Sequence, residues 1–170
     1  MTPEELLVGL GETAAVFAGF SSIVAALGVR SVAELRPIDR FRFSNLLVVS
    51  VFACMLAFAP VVLTGFAFPV ESTWALSSLS LALFSMSFLV WVSIAARRVR
   101  KQQTSVGRSW MAALSIAVLI GLLVAQCANA LNWPFDRSAH VYVAGIFGLV
   151  VLSGLQFILL ALDSTPGRRD

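Results

Sequence analysis

Charge is what this sequence has least of. Asp, Glu, Lys and Arg make up 12% of its 170 residues, about half of the ~25% found in an ordinary soluble domain. So few charged groups cannot cover a folded soluble surface, which excludes a soluble globular domain. Hydrophobic residues reach 59%, and that excludes a disordered chain, which needs low hydrophobicity and high net charge. Cysteine is scarce too. Cys54 and Cys127 each lie inside an apolar run without a Cys-x-x-Cys spacing, so they read as small buried hydrophobes. A lone histidine, His140, gives no two-histidine metal motif and no zinc-protease signature. The sequence has no Gly-x-Ser-x-Gly elbow, phosphate-binding Walker loop or dinucleotide fingerprint. Asp39, Asp136 and Asp163 all fall at the edges of apolar runs, so no pair of intramembrane aspartates is available for catalysis. The expectation is a non-enzyme with no cofactor and no metal. The pI near 9.5 does not signal nucleic acid, because the basic residues form short clusters beside apolar runs and not one soluble face.

What is abundant is long apolar sequence, with a mean hydropathy of +0.91. Crossing ~30 Å of hydrocarbon takes about 20 mostly apolar residues in a helix. Five stretches qualify: Leu6–Val29, Phe43–Phe68, Trp74–Ala96, Trp110–Leu131 and His140–Leu162. Turn-forming residues separate them, with Pro37 and Asp39 before the second, Pro69 and Ser72 before the third, and Pro134, Asp136 and Ser138 before the fifth. Backbone polar groups in lipid must be satisfied internally, so the runs are predicted to be helices. The fold class is all-α: one transmembrane domain over residues 1–170, a five-helix integral membrane bundle.

Orientation follows from basic residues. The loop after the first run carries Arg30, Arg36, Arg40 and Arg42; the loop after the third carries Arg97, Arg98, Arg100, Lys101 and Arg108; Arg168 and Arg169 close the chain. Five crossings put eleven of the twelve Lys and Arg residues on one side, Arg137 being the exception. The expected topology has the N-terminus outside and the C-terminus in the cytoplasm. The acidic start, Glu4 and Glu5, with a long run ending at Arg30, reads as a retained helix and not as a cleaved signal peptide. An interfacial or re-entrant first segment is the alternative, because Glu12 lowers its apolarity, and it would place the N-terminus inside. Trp74 and Trp133 fit an aromatic belt at the outer boundary, and Trp110 one at the inner. Arg40, Arg42, Arg97 and Arg98 read as cytoplasmic anchors, with recognition of anionic lipid headgroups as the other reading. Ser31-x-x-Glu34 resembles a capping box for a short surface helix ending at Pro37.

The first run has two faces at 100° per residue. Glu5, Glu12, Gly19 and Ala26 recur every seven positions with Ala15 and Ser22 beside them, while Leu6, Leu10, Phe17, Phe20, Val24 and Leu27 lie opposite. Small residues allow close helix approach, so Ala15, Gly19, Ser22 and Ala26 are expected to form a packing face, and the large residues to meet lipid. Glu12 lies about 10 Å below the outer interface by helix rise, where a charge costs several kcal/mol unless paired or hydrated. Gln126 and Asn129 share a face at similar depth in the fourth run. Glu12, Gln126 and Asn129 are therefore expected to form a polar cluster, within one subunit or across an oligomer interface. Such a cluster is either interhelical glue or an ion site.

The third run is serine-rich. Ser77, Ser80 and Ser87 share a side with Phe84 and Trp91, whereas Ser78 and Ser85 lie a quarter-turn or more away. That split suits packing better than a continuous pore lining. Pro60 interrupts the second run and frees a carbonyl near position 56, predicting a kink. The stretch Glu12-Thr-Ala-Ala-Val-Phe-Ala-Gly-Phe-Ser-Ser-Ile-Val-Ala-Ala-Leu27 resembles small uncharacterised bacterial multi-pass membrane proteins with an acidic residue ahead of an Ala-Gly-Phe-Ser stretch. The resemblance implies a bacterial source and a shared first-helix design, and carries no catalytic or binding residue across.

Together these readings predict a non-catalytic protein of the bacterial inner membrane, acting as a homo-oligomer or as an accessory or anchoring subunit of a membrane complex. The alternative is an oligomeric pore or small-ion channel with Glu12 near its outer mouth. The partners expected are the lipid bilayer, copies of the chain or another membrane protein, and in the channel reading a small ion; nucleic acid is not among them.

Overall fold

The computed structural model describes residues 1–27, 37–102 and 109–163. They form six helices: α1 Pro3–Leu27, α2 Pro37–Ala57, α3 Ala59–Gly65, α4 Val70–Gln102, α5 Ser109–Leu131 and α6 Ala139–Asp163. The capping box expected at Ser31-x-x-Glu34 lies outside the described residues. A different one opens the chain. The Thr2 N–H donates to Glu5 Oε2 at 2.8 Å, and the Glu5 N–H to Thr2 Oγ1 at 3.2 Å, with Pro3 at the first helical position where its missing N–H costs nothing.

Five segments are long and apolar enough to cross a membrane: Pro3–Ile23, Asp39–Gly65, Val70–Ala95, Ala113–Leu131 and Ala139–Leu160. They coincide with the five predicted runs to within a few residues. The second span is split where proline demands it, as α2 stops at Ala57 and α3 restarts at Ala59. Pro60 has no N–H for the Leu56 carbonyl, and the hydroxyl of Tyr142 donates to that carbonyl from α6 at 2.5 Å. The end of α3 is closed by a Schellman motif. The Phe68 N–H donates to Leu63 O and the Ala67 N–H to Thr64 O, with Ala67 in the left-handed region at φ 60°. Asn132, at φ 56°, ends α5 in the same way, the Trp133 N–H reaching back to Ala128 O.

Helix α6 is the centre of the bundle. It packs against α1, α2, α4 and α5, joining an α1–α2 pair to an α4–α5 pair. Leu7, Val49, Ala53, Leu81, Leu119, Tyr142, Ile146 and Leu149 form the core. Polarity runs the opposite way from a soluble protein. Ser50, Ser77, Ser78, Ser85, Gln126, Asn129 and Ser153 are fully buried, while Val16, Met55, Val62, Val124 and Phe147 are more than half exposed. Hydrocarbon, not water, is the solvent that suits this surface. The chain is a multi-pass membrane protein.

The face of α1 that packs within the chain is not the expected stripe. Within the chain, α1 buries Leu7, Gly11, Ala14 and Ser21, and Leu10 and Phe17 pack on the core. Phe17 and Phe20 both meet Phe157 of α6. Ala15, Gly19 and Ser22 are exposed instead, and the side chain of Ala26 lies outside the described set. The physical reason is that α1 carries small residues on two adjacent stripes. The stripe of Gly11, Ala14 and Ser21 meets α2 closely enough that a Cβ on Gly11 would lie 3.2 Å from the Ala57 Cβ.

Candidate functional site

The amino-terminal side of the bundle, which holds Met1, the α3–α4 turn and the α5–α6 loop, contains a belt of buried polar groups. Asn129 is its hub. Its Nδ2 donates to Ser78 Oγ at 2.8 Å and to Ser138 O at 3.1 Å, while its Oδ1 accepts the Ser138 N–H at 2.8 Å. One amide thus links α4, α5 and the residue preceding α6. Gln126, one turn deeper, donates from Nε2 to Val141 O at 2.8 Å. Gly145 makes room for it, since a Cβ there would lie 2.7 Å from Leu81 Cδ2 and 3.1 Å from Gln126 Cδ. The Gln126 Oε1 and the hydroxyls of Ser50, Thr73 and Ser77 are buried without a hydrogen-bond partner among the described residues.

Arg137, the exception in the charge distribution, has a structural task. Its Nε donates to Asn129 O at 3.2 Å, its Nη2 to Ala130 O at 2.9 Å and its Nη1 to Glu71 O at 3.0 Å. The guanidinium caps the last carbonyls of α5, where the helix dipole favours a cation, and ties the α5–α6 loop to the first turn of α4. Its own N–H donates to Asn132 Oδ1 at 2.5 Å. Sequence reasoning found Gln126 and Asn129 but missed Ser78, Arg137 and Tyr142. The signal for Arg137 was a lone basic residue six positions past the end of an apolar run, placed to serve helix-terminal carbonyls.

Glu12 does not join this belt within the chain. It is exposed on α1, which packs on α2 and α6, whereas Gln126 and Asn129 face α4 and α6. Equal depth does not fix the direction a side chain takes around the bundle, and the amide donors are already engaged by backbone carbonyls and Ser78. Of the expected anchors, Arg40 and Arg97 are exposed, and Arg42 pairs with Asp39 at 3.8 Å. The side chain of Arg98 lies outside the described set.

Of the buried serines of α4, Ser78 bonds across to Asn129 of α5, whereas Ser85 serves its own helix. Ser85 Oγ donates to Leu81 O of its own helix at 2.8 Å, while Ser80 and Ser87, predicted to share a face with Trp91, are exposed. No family model matches this chain, and no curated protein or solved structure is significantly similar to it.

Replacing Asn129 with leucine removes three hydrogen bonds and leaves the Ser138 N–H without its acceptor. The expected loss of stability is about 2 kcal/mol, well above the ~0.6 kcal/mol average for one interhelical bond in a membrane. Unfolding in a mild detergent measures it, with lipid-facing Val124→Leu expected to change stability by less than about 0.5 kcal/mol.

Proposed function

We propose that this chain is a non-catalytic component of a bacterial inner membrane that works as a homo-oligomer or as an accessory or anchoring subunit of a membrane complex. The observation that carries the reading is Glu12, an acidic side chain on a spanning helix that is exposed on the chain's own surface. A carboxylate facing acyl chains is costly, and a second protein surface removes that cost. The neighbouring positions suit such a contact. Gly9, Ala15, Gly19 and Ser22 are exposed on the same helix, and a Cβ added to Gly9 or Gly19 meets nothing within 4 Å. Small residues of this kind let another helix come close. The buried amides support the non-catalytic reading, because their donors are engaged in holding helices together. The proposed orientation, amino terminus outside and carboxyl terminus in the cytoplasm, rests on the one-sided distribution of basic residues. The bacterial setting rests on the resemblance of the first helix.

A second reading draws on the same carboxylate. In a ring of copies with α1 inward, Glu12 makes an acidic ring near the outer mouth of a cation-conducting pore.

Gly19→Leu separates the fold from the association. The monomer has space for the larger side chain, so stability is expected to change by less than about 0.5 kcal/mol, while the oligomer or complex dissociates in light scattering of the mild-detergent preparation. A wild-type protein that is monomeric with nothing co-purifying contradicts the proposal. For the pore, reconstitution in a planar bilayer is expected to show a conductance whose cation selectivity Glu12→Gln lowers; a silent, well-folded protein rejects it.

A further inference from the structure

The flank between α2 and α4 carries a feature that neither association nor the polar belt uses. Five aromatic rings stack in one continuous column. Phe41 stacks on Trp91 with centroids 6.0 Å apart, Trp91 on Phe88 at 5.5 Å, Phe88 on Phe84 at 5.5 Å, and Phe84 on Phe52 at 4.5 Å. Every interplanar angle is 27° or less. Phe88 is buried in the core, but the column reaches the surface on both sides of it, since Phe52 is 41% and Trp91 40% exposed. Along α2 it runs from position 41 to position 52, about 16 Å by helix rise, which matches one leaflet of a ~30 Å hydrocarbon core.

The two ends of the column differ. Phe52 lies deep in the second span, whereas Phe41 stands in the first turns of α2 beside Arg40, which is exposed, and Arg42, which is held by Asp39. In sequence, the two segments flanking this end, 28–42 and 97–108, contain nine of the chain's twelve Lys and Arg residues and only two acids, Glu34 and Asp39. We infer that this flank is a binding site for an anionic phospholipid, with the phosphate at Arg40 and one acyl chain lying along the ring column from Phe41 to Phe52. Charge complementarity selects an anionic headgroup. The exposed rings of Trp91 and Phe52 and the half-buried rings of Phe41 and Phe84 suit a flexible acyl chain. The inference is independent of how the chain associates through α1, so the failure of either leaves the other standing.

Trp91 is a reporter inside the proposed site. The full chain is reconstituted in phosphatidylcholine vesicles containing either brominated phosphatidylglycerol or brominated phosphatidylcholine, and the Trp91 contribution is taken as the difference from Trp91→Phe. Brominated phosphatidylglycerol is expected to compete for the site roughly fivefold more effectively, the factor that one arginine near an anionic surface supplies. Arg40→Gln is expected to bring that ratio close to one. Arg97→Gln is expected to leave it unchanged, because Arg97 lies six residues beyond Trp91 and about 120° around α4 from it. Equal quenching by the two lipids overturns the inference. So does an equal effect of the two substitutions, which would mean that only overall surface charge attracts the lipid. If Arg40→Gln does not fold, unlabelled lipid is added to the wild type with brominated phosphatidylglycerol. Relief of quenching by unlabelled phosphatidylglycerol alone supports the site, and equal relief by phosphatidylcholine overturns it.

Discussion

The hydroxyl of Tyr142 donates to the carbonyl of Leu56, the group that Pro60, lacking an N–H, cannot serve. In water such a carbonyl would be hydrated. In hydrocarbon it has to find a protein donor or cost several kcal/mol. The break between α2 and α3 is therefore tolerable only if α6 lies alongside it in one register. That register brings Tyr142 against Trp74 of α4 and sets Gly145 where Gln126 and Leu81 converge. The central position of α6 and the contacts of its first two turns all agree with this one demand.

The polar belt extends the same logic to helix ends. Loops that leave a membrane carry helix-terminal carbonyls and amides at a depth where water is scarce. On one side of the bundle Asn129 engages the backbone of Ser138, and Arg137 engages the carbonyls of Asn129 and Ala130 at the end of α5 and that of Glu71 in α4. These residues fix loops to helices, and their polarity is directed inward. Glu12 is the contrasting case. It lies on α1, whose packing face is a different stripe, and among the described residues no hydrogen bond or ion pair engages it. The α4–α5–α6 side thus directs its amides and its arginine into the bundle, whereas the outer face of α1 presents an acid outward.

Much of this was legible in the sequence, and the rest failed for an identifiable reason. Span positions follow from the length of apolar runs, which hydrocarbon thickness fixes independently of tertiary packing. The break at Pro60 and the freed carbonyl near position 56 follow from covalent chemistry. What the sequence could not supply was azimuth. Nothing in one dimension says that Tyr142 rather than a serine reaches Leu56, or that Gln126 and Asn129 turn toward α6 and away from α1. Helix α1 shows the difficulty best. Its buried residues Leu7, Gly11, Ala14 and Ser21 recur at steps of four, three and seven, yet Glu12, Ala15, Gly19 and Ser22 make an equally regular pattern one position away. Periodicity finds both and ranks neither.

The bundle's register depends on a link between a proline and a hydroxyl 82 positions apart in the sequence. A double-mutant cycle of Pro60→Ala and Tyr142→Phe, read by unfolding in mild detergent, isolates it. Alanine at position 60 restores a backbone N–H for the Leu56 carbonyl, so Tyr142→Phe should cost about 1–2 kcal/mol less in that background than in the wild type. Equal costs in the two backgrounds would contradict the account.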